Sequence, residues 1–528
     1  MGAKECIEEG KAYLGIEFGS TRIKGVVIDE AGEVLAMGGF GWENSLKDGI
    51  WTYSEKEIFD GLKICYADVA KDIESKYGVK AKRFAGIGIS AMMHGYLAFD
   101  ANENLLVPFR TWRNTITGEA AEKLTKEFNY NIPQRWSISH LYQAILNKEE
   151  HVKDVDFFTT LAGFVHWKLT GKKVLGVGDA SGMFPIDIAT GDFDATMIAK
   201  FDELAKETAL SKGLKGLLPE VLSAGEDAGV LTQEGALLLD ETGNLEAGIP
   251  LCPPEGDAGT GMVATNSVKV RTGNISAGTS VFAMVVLEKE LSKVYPEIDL
   301  VTTPDGALVG MVHCNNCTSE INNWVKIFKE FCDIYGINPD MNELFTKLYA
   351  VSMSGDEDCG GVILYNYLSG EPVTGFEKGA LVLARTAEDK FSLANLMRSN
   401  LYSAMATLKI GLDLMLKEEG VKVDEMYGHG GYFKTKGVGT KIAAAAINAP
   451  VSVMETASEG GAWGIALLAA FLAKKAEMTL SDYLSGVIFK DAKCEKCEPE
   501  SKDVEGFDAY IEKYKTGLAI ERTAVEVL

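Results

Sequence analysis

The chain lacks any apolar run long enough to cross a membrane. Its richest apolar stretch, from Trp463 to Leu472, is too short for a span and lies between Glu459 and Lys474. The first residues, Met1–Lys11, contain no apolar segment either, so we expect neither a secretory signal nor a transit peptide. These two absences predict a soluble, cytoplasmic protein.

Positive charge is also scarce. The sequence has 52 Lys and Arg against 76 Asp and Glu, for a net charge of −24. Because nucleic acids and anionic membranes repel such a surface, we expect neither as the main partner. This charge places no limit on a small-molecule substrate.

No segment rich in proline, glycine and serine divides the chain, although 528 residues predict two or three domains. The least regular stretch is 248–261. We therefore predict an N-terminal domain of residues 1–257 and a C-terminal domain of residues 258–528, with a cleft between them.

The cysteines are nine in number, an odd count that does not indicate a disulfide framework. Two Cys-x-x-Cys pairs, Cys314/Cys317 and Cys494/Cys497, offer four thiolates of the kind that binds zinc. The pairs are far apart in sequence, and we favour reduced, unconnected thiols. The charged run around Glu495–Glu505 predicts a solvated loop.

Two parts of the chain share a strand, turn, strand pattern. In the first half, the apolar segment Ala12–Glu17 leads into the turn Gly19-Ser20-Thr21, and Ile23–Ile28 follows as a strand. In the second half, the turn Gly278-Thr279-Ser280 is followed by the strand Val281–Val286. The repetition predicts a duplicated architecture.

Helical periodicity alternates with strands. Ser54–Tyr77 repeats apolar residues every three or four positions and precedes the strand Phe84–Ile89. Later, Phe391–Lys417 and Lys436–Ile447 predict helices on either side of the short strand Met426-Tyr427. The alternation predicts an α/β fold.

Asp257 lies between the two glycine-rich, hydroxyl-bearing turns in sequence. Gly19 allows a close backbone approach to a phosphate, while Ser20, Thr21 and Lys24 supply donors and a cation. A carboxylate between two such phosphate-binding loops is what phosphoryl transfer to an alcohol needs. The alternative interpretation makes Asp257 the N-cap of a helix over 259–264.

Eight motifs together resemble the FGGY family of carbohydrate kinases. They are Gly15–Lys24, Ser90–Gly95, Leu169–Gly171, Asp179–Gly182, Leu218–Glu220, Gly256-Asp257, Ala277–Ser280 and Gly430-Gly431. They occur in the family's order and rough spacing along nearly the whole chain. The resemblance implies two ribonuclease-H-like domains of the actin and hexokinase-type ATPase class, with ATP and a sugar in the interdomain cleft.

The resemblance also implies how ATP is held. Its binding residues would be Gly19, Ser20, Thr21, Lys24, Gly278, Thr279, Ser280, Gly430 and Gly431. The segment 458–462 resembles the helix start that closes the family's nucleotide pocket. Asp257 would be the base that accepts the sugar's hydroxyl proton, and Mg²⁺ would lie at Glu17 and Asp257. The family usually has Asp where this chain has Glu17, whose carboxylate extends one methylene further.

The sugar would contact Met93, His94, Gly95, Trp112, Asn114 and Asp257 by the same resemblance. Met93-His94-Gly95 is very similar to the corresponding motif of xylulose kinases, whereas gluconate kinases have Met-His-Ser. Asn114 stands where many relatives have Asp, and Ile116 stands near the place of their Arg. Two cations, Arg110 and Arg113, suit an acidic sugar or are solvated loop residues, and we favour the second interpretation.

The resemblance therefore implies a homodimeric enzyme that transfers phosphate from ATP to a primary hydroxyl of a ketopentose such as D-xylulose. Gluconate, another pentulose or a polyol remains open as the acceptor. A non-catalytic sensor of sugar or nucleotide also remains open, because Glu17 and residues 112–116 depart from the family pattern.

Overall fold

The computed structural model describes residues 2–454 and 460–528. Contacts divide the chain into two units. Unit 1 comprises Met1–Val268, Leu300–Val309 and Ser458–Asp491, and unit 2 comprises Lys269–Asp299, Gly310–Ala457 and Ala492–Leu528. No helix in the described part of the chain is both long and apolar enough to cross a membrane.

The strands are β1 Tyr13–Phe18, β2 Arg22–Ile28, β3 Val34–Gly41, β4 Ser45–Lys47, β5 Ile50–Thr52, β6 Gly86–Ala91, β7 Leu97–Phe99, β8 Phe157–Thr159, β9 Val174–Gly176, β10 Ile186–Asp187, β11 Asp192–Phe193, β12 Glu220–Leu222, β13 Glu255–Gly256, β14 Thr272–Ala277, β15 Val281–Val286, β16 Asp299–Thr302, β17 Leu308–Cys314, β18 Ile363–Asn366, β19 Leu381–Ala384, β20 Glu425–His429, β21 Val451–Met454 and β22 Cys494–Cys497.

The α-helices are α1 Ala3–Glu8, α2 Glu55–Tyr77, α3 Gly118–Phe128, α4 Ser137–Leu146, α5 Leu161–Thr170, α6 Val177–Ala180, α7 Ala195–Ala205, α8 Gln233–Leu239, α9 Asp257–Ala264, α10 Ser319–Ile334, α11 Met341–Ser352, α12 Leu393–Asp413, α13 Gly439–Ile447, α14 Gly460–Phe471, α15 Leu480–Tyr483 and α16 Ser501–Val527.

Unit 1 is built on a five-stranded sheet in the order β13, β6, β1, β2, β3. β1 pairs antiparallel with β2 and parallel with β6, which in turn pairs parallel with β13. Helix α2 begins at a capping box formed by Ser54 and Glu57 and ends at Gly78, which has a left-handed backbone. Its buried residues, including Ile58 and Leu62, join the apolar core of the sheet.

Helix α14 lies very close to β1. A Cβ at Gly15 would stand 2.1 Å from the carbonyl oxygen of Ala462 and 2.6 Å from the nitrogen of Ala466. Only glycine therefore fits at this point of β1, and the close approach fixes the first half of α14 against the middle of the strand.

Unit 2 has a sheet in which β17, β15, β14, β20, β21 and β22 are neighbours in that order. β14 pairs antiparallel with β15 and parallel with β20, and β20 pairs parallel with β21. The two units thus repeat one arrangement: an antiparallel hairpin whose first strand pairs parallel with a later strand. This confirms the α/β class and the duplicated architecture.

Two local predictions differ from the structure. The charged run Glu495–Glu505 is not a loop, because β22 pairs antiparallel with β21 and α16 begins at Ser501. Asp257 is not an N-cap, because Gly256 takes that position and Asp257 is the first residue of α9. In the motif 458–462, Ser458 and Glu459 lie outside the described residues.

Candidate active site

Asp257 stands where β13 ends and α9 begins. Its Oδ1 accepts a hydrogen bond of 3.0 Å from the backbone N–H of Met93, which follows β6. The residue is exposed, yet the protein atoms around it remove part of its hydration, and this burial raises the pKa of its carboxyl, while the Met93 N–H opposes the rise. Asp257 is thus an accessible carboxylate with a raised pKa, as a general base requires.

His94 and Gly95 make a tight bend beside Asp257's partner Met93. Both residues have positive φ, 70° at His94 and 94° at Gly95. His94 Nδ1 lies 3.0 Å from the carbonyl oxygen of Gly182. Burial lowers the pKa of His94 to about 3, and Arg135 adds to the effect. The imidazole is therefore neutral, so Nδ1–H donates to the carbonyl and Nε2 is left as an acceptor.

Glu17, near the end of β1, is directly opposite Lys24 on β2. Its carboxylate accepts a hydrogen bond from the backbone N–H of Ala462, in the first turn of α14. Burial raises the pKa of Glu17, Lys24 lowers it, and Asp257 raises it. The Asp257 carboxylate is thus near enough to act on Glu17, the other residue predicted to face Mg²⁺.

The loop Gly19-Ser20-Thr21 is held by aromatic side chains. Trp42 Nε1 donates to the carbonyl of Gly19 at 2.7 Å, and the Tyr53 hydroxyl donates to the carbonyl of Ser20 at 2.6 Å. The Trp42 and Tyr53 rings stack with their centroids 4.0 Å apart. These bonds occupy two carbonyls of the loop and so fix the orientation of its peptide groups.

Two further carboxyls, of Asp179 and Glu255, lie beside Asp257, and the sequence indicated no role for either of them. Asp179 Oδ2 accepts a hydrogen bond of 2.6 Å from the Thr160 hydroxyl, and burial raises the pKa of Asp179 to about 7. Glu255 is 1% exposed, and burial raises its pKa well above the usual value, with Asp179 adding to the rise. The signal for Glu255 was its place two residues before Asp257, and Asp179 is part of a family motif.

In unit 2, the loop Gly278-Thr279-Ser280 joins β14 to β15. The carbonyl of Gly278 accepts bonds from the Thr318 hydroxyl at 2.6 Å and the Thr318 N–H at 3.0 Å, and the Thr279 carbonyl accepts the Cys317 N–H at 3.0 Å. As in unit 1, hydrogen bonds from the protein occupy two carbonyls of the hydroxyl-bearing loop.

Gly430 follows β20 with a φ of 101°. A Cβ there would stand 2.4 Å from the carbonyl oxygen of Ala277, the last residue of β14. Only glycine permits this turn, and it brings Gly430 and the following Gly431 beside the loop that begins at Gly278. The residues predicted to bind nucleotide in unit 2 therefore lie together.

Family models match both halves of the chain. The N-terminal domain of the FGGY family of carbohydrate kinases matches residues 12–264, and its C-terminal domain matches residues 273–473. The chain belongs to the FGGY family of carbohydrate kinases. It is a sugar kinase of the actin and hexokinase-like fold.

Relatives extend over the full length of this FGGY kinase. The xylulose kinase of Haemophilus influenzae is 22% identical over 519 residues, which cover 96% of this chain and 99% of the relative. The ligand-bound xylulose kinase from Lactobacillus acidophilus has a TM-score of 0.78 at 18% identity and covers 97% of this chain and 99% of its own. The gluconate kinase from Lactobacillus acidophilus has a TM-score of 0.77 at 17% identity, with the same coverage.

The kinase's departure from the family pattern at Asn114 has a structural explanation. Both amide hydrogens of Asn114 are used, since Nδ2 donates to the carbonyls of Trp51 and Thr111, each at 2.9 Å, and Oδ1 accepts the Trp51 N–H at 2.9 Å. The Asn114 amide thus holds the segment 111–114 against Trp51. Trp112 is 39% exposed, and its Nε1 donates to the Ser20 hydroxyl at 3.2 Å.

The two arginines of this segment differ from each other. Arg110 is buried, pairs with Glu149, and lies over the ring of Tyr96. Our preference for a solvated residue was therefore wrong at this position. Arg113 is exposed and stacks 4.0 Å from the ring centroid of Trp51.

The cysteines of this kinase are all free thiols. Cys314 and Cys317 are buried, whereas Cys494 and Cys497 lie on β22. In residues 2–454 and 460–528, no three His, Cys, Asp or Glu side chains form a group able to hold a metal.

Proposed function

We propose that this FGGY kinase transfers the γ-phosphate of ATP to the primary hydroxyl of a ketopentose such as D-xylulose. The observation that carries the proposal is the accessible Asp257 carboxylate, bonded to the N–H of Met93 next to the bend at His94. Similarity to a xylulose kinase along 96% of the chain supports the substrate class.

Asp257 would act as the general base. Its carboxylate takes the proton from the sugar's primary hydroxyl as the oxygen attacks the γ-phosphorus of ATP, and ADP leaves from the opposite side. The raised pKa favours this proton transfer, because a carboxylate of higher pKa is the stronger base. The Met93 N–H keeps the carboxylate oriented while the proton moves.

The sugar would be recognised by residues of unit 1. His94 Nε2 is an acceptor for a sugar hydroxyl, because Nδ1–H is bonded to Gly182. Met93 and Gly95 shape the bend, and Trp112 offers an exposed ring. We propose that Asn114 contributes indirectly, by holding the loop that carries Trp112.

The sequence indicates three loops whose residues we propose as ATP contacts, and each loop lies within one unit. Gly19, Ser20, Thr21 and Lys24 in unit 1 would contact phosphate. In unit 2, Gly278, Thr279 and Ser280 would contact phosphate, and Gly430 and Gly431 would face the adenosine. In both phosphate loops, backbone carbonyls are engaged by the protein, which leaves hydroxyl and N–H donors for an anion.

Mg²⁺ fits the donor set at Glu17 and Asp257. Magnesium prefers oxygen ligands and is usually bound through one or two carboxylates together with waters and substrate phosphates. Glu17, which lies opposite Lys24, and the nearby Asp257 meet this requirement without a complete protein cage. Bound there, the ion would neutralise the charge that develops on the phosphates.

An acidic acceptor such as gluconate receives less support from the structure. Of the two arginines that suit a carboxylate, Arg110 is buried and paired with Glu149. Only Arg113 of this pair is exposed. Other pentuloses and polyols carry no charge and are separated from xylulose by assay.

The test is ADP release with Mg-ATP and D-xylulose, D-ribulose, L-xylulose, L-ribulose, gluconate or glycerol. We expect the strongest turnover with D-xylulose. Asp257→Asn should lower it by roughly 10²–10⁴-fold, because the amide still accepts the Met93 N–H but takes up no proton. Turnover on none of the six acceptors, with ATP binding intact, would reject the ketopentose and favour a sensor.

We further propose that the kinase is a homodimer and works in the cytoplasm, where ATP is supplied. Helix α10 and the residues after it carry an apolar face whose side chains are each more than half exposed: Ile327, Phe331, Ile334, Tyr335 and Ile337. A stable interface buries about 800 Å² per partner around an apolar centre, and this face supplies such a centre. A second copy offers the same face in two-fold symmetry.

Sedimentation of the wild type and of Phe331→Glu tests the dimer. We expect a dimer that becomes a monomer in Phe331→Glu with an unchanged melting temperature. Phe391→Glu is the matched control, since Phe391 is another half-exposed phenylalanine of unit 2. A monomeric wild type, or a dimer unaffected by Phe331→Glu, contradicts the proposal.

A further inference from the structure

Glu255 is a buried carboxylate immediately before the proposed base. It forms β13 with Gly256, and β13 pairs with β6 so that Glu255 lies opposite Ser90 and Gly256 opposite Ala91. Its exposure is 1%. Burying a carboxylate is costly unless donors satisfy it, so its partners show what it does.

Those partners are backbone N–H groups of one short segment. The carboxylate accepts the N–H of Asp179 at 2.9 Å through Oε2 and the N–H of Gly178 at 3.3 Å through Oε1. Both donors belong to α6, which is far from Glu255 in sequence. One side chain thereby joins α6 to the strand that leads into Asp257.

Two glycines make room for this carboxylate. A Cβ at Gly176 would stand 2.1 Å from Glu255 Oε1, and a Cβ at Gly178 would stand 2.4 Å from Oε2. A side chain at either position would overlap the Glu255 carboxylate. Residues 176–179 can therefore pack this closely against Glu255 only with glycine at both positions. The contact therefore sets the place of the segment.

The same segment reaches the proposed sugar contacts. Gly182, just after α6, accepts the hydrogen bond of His94 Nδ1, and a Cβ on Gly182 would stand 2.7 Å from that atom. Asp257 Oδ1 accepts the N–H of Met93, and a Cβ on Gly256 would stand 2.4 Å from Met93 Cγ. Close packing thus joins three chain segments: 91–95, 176–182 and 255–257.

We propose that Glu255 is a positioning residue, whose carboxylate holds α6 against β13 and thereby fixes the orientation of Asp257 and of the Met93-His94 bend. The proposal rests on the proposed kinase function for its kinetic consequence. Small misplacements of a reacting group lower rates steeply, by as much as 10²-fold for about 1 Å. A residue that only stabilised the fold would alter the melting temperature and leave turnover of the folded enzyme unchanged.

The variants are Glu255→Gln, Glu255→Asp and Glu255→Ala in the full chain. Gln keeps the size and one acceptor oxygen. Asp keeps the carboxyl group but withdraws it from the α6 donors by one methylene. Glu226→Gln is the matched control, because Glu226 also accepts a backbone N–H, from Ser223 at 2.7 Å, but is exposed.

Turnover is measured with Mg-ATP and the best acceptor. We expect kcat to fall roughly 10-fold or more in Glu255→Asp and Glu255→Ala, with a smaller fall in Glu255→Gln, which keeps one of the two acceptor oxygens, and little change in KM for ATP. Glu226→Gln should match the wild type. If folded Glu255→Asp and Glu255→Ala turn over within about twofold of the wild type, the positioning role is wrong.

Hydrogen exchange supplies a readout that does not depend on activity. Peptides containing Met93-His94 and Gly178-Asp179 should exchange faster in Glu255→Asp than in the wild type, with Glu255→Gln between the two. Unchanged exchange in these peptides overturns the inference. A wild type without turnover rejects the proposed function alone, and the exchange result then decides about Glu255.

Discussion

Glu17 reaches from β1 to the first turn of α14, where a Cβ on Gly461 would stand 2.5 Å from its Oε1. The longer side chain, in place of the Asp usual in the family, is therefore accommodated by a glycine. The hydrogen bond from the Ala462 N–H and the position opposite Lys24 hold the Glu17 carboxylate in place. The structure around Glu17 therefore accommodates a side chain that is longer than the Asp usual in the family.

Gly461→Ala should destabilise the protein by roughly 1–3 kcal/mol, because the new methyl group overlaps Glu17 and also approaches Thr260 Oγ1 at 2.8 Å. Glu17→Asp withdraws the carboxylate and should recover part of this loss in the double variant. Urea unfolding of the wild type, both single variants and the double variant measures the coupling. Strictly additive effects would show that the two residues do not share the space.

Local patterns in the sequence predicted much of the fold. The β1–β2 hairpin, α2 with its start at Ser54, and β6 were predicted close to their observed bounds, since turn residues, caps and periodicity act within a few positions. The family motifs brought Asp257, Met93 and His94 into one hypothesis. The structure adds the bond between Asp257 and the Met93 N–H.

Contacts between segments that are distant in the sequence could not be predicted from it. Nothing local indicates that Glu255 accepts the N–H groups of Gly178 and Asp179, or that Arg110 pairs with Glu149. Likewise, Leu300–Val309 and Ser458–Asp491 return to unit 1 from positions after the predicted boundary at residue 257. Each of these depends on contacts between segments that are distant in sequence.

Tyr53→Phe should weaken ATP binding. The variant loses only the hydroxyl that donates to the Ser20 carbonyl and keeps the ring stacked on Trp42. A hydrogen bond of about 0.5–1.5 kcal/mol corresponds to a rise of roughly 2–10-fold in KM for ATP, with the sugar KM little changed. Tyr77→Phe is the control, since its hydroxyl also donates to a backbone carbonyl, that of Leu35 at 2.8 Å. Equal KM values for ATP in Tyr53→Phe and Tyr77→Phe would show that the Tyr53 hydroxyl does not orient the loop.

Asp179→Asn should stabilise the protein at pH 8. Burial raises the pKa of Asp179 to about 7 in the folded state from an ordinary value of 3.8, so the folded state holds a proton that the unfolded state has lost. The stability that this group contributes is present below pH 4 and is lost as the pH rises through 7. Asn escapes this loss and still accepts the Thr160 hydroxyl.

Urea unfolding at pH 4.5, 6 and 8 tests this expectation. The gain for Asp179→Asn should be at most about 4 kcal/mol at pH 8 and should shrink toward pH 4.5. An equal difference at all three pH values would show that the ionisation of Asp179 does not affect stability.

The pH dependence of turnover should report Asp257 and not His94. Burial raises the pKa of Asp257, so kcat/KM for the sugar should rise with pH through a value above 3.8 as the carboxylate forms. His94 has a pKa of about 3 and stays neutral, so it should add no inflection near 6.5. The measurement is kcat/KM between pH 4.5 and 9 at saturating Mg-ATP, with His94→Asn and Asp179→Asn in parallel, because Asp179 titrates near 7. An inflection near 6.5 that persists in Asp179→Asn and disappears in His94→Asn would assign proton transfer to the imidazole instead of the carboxylate.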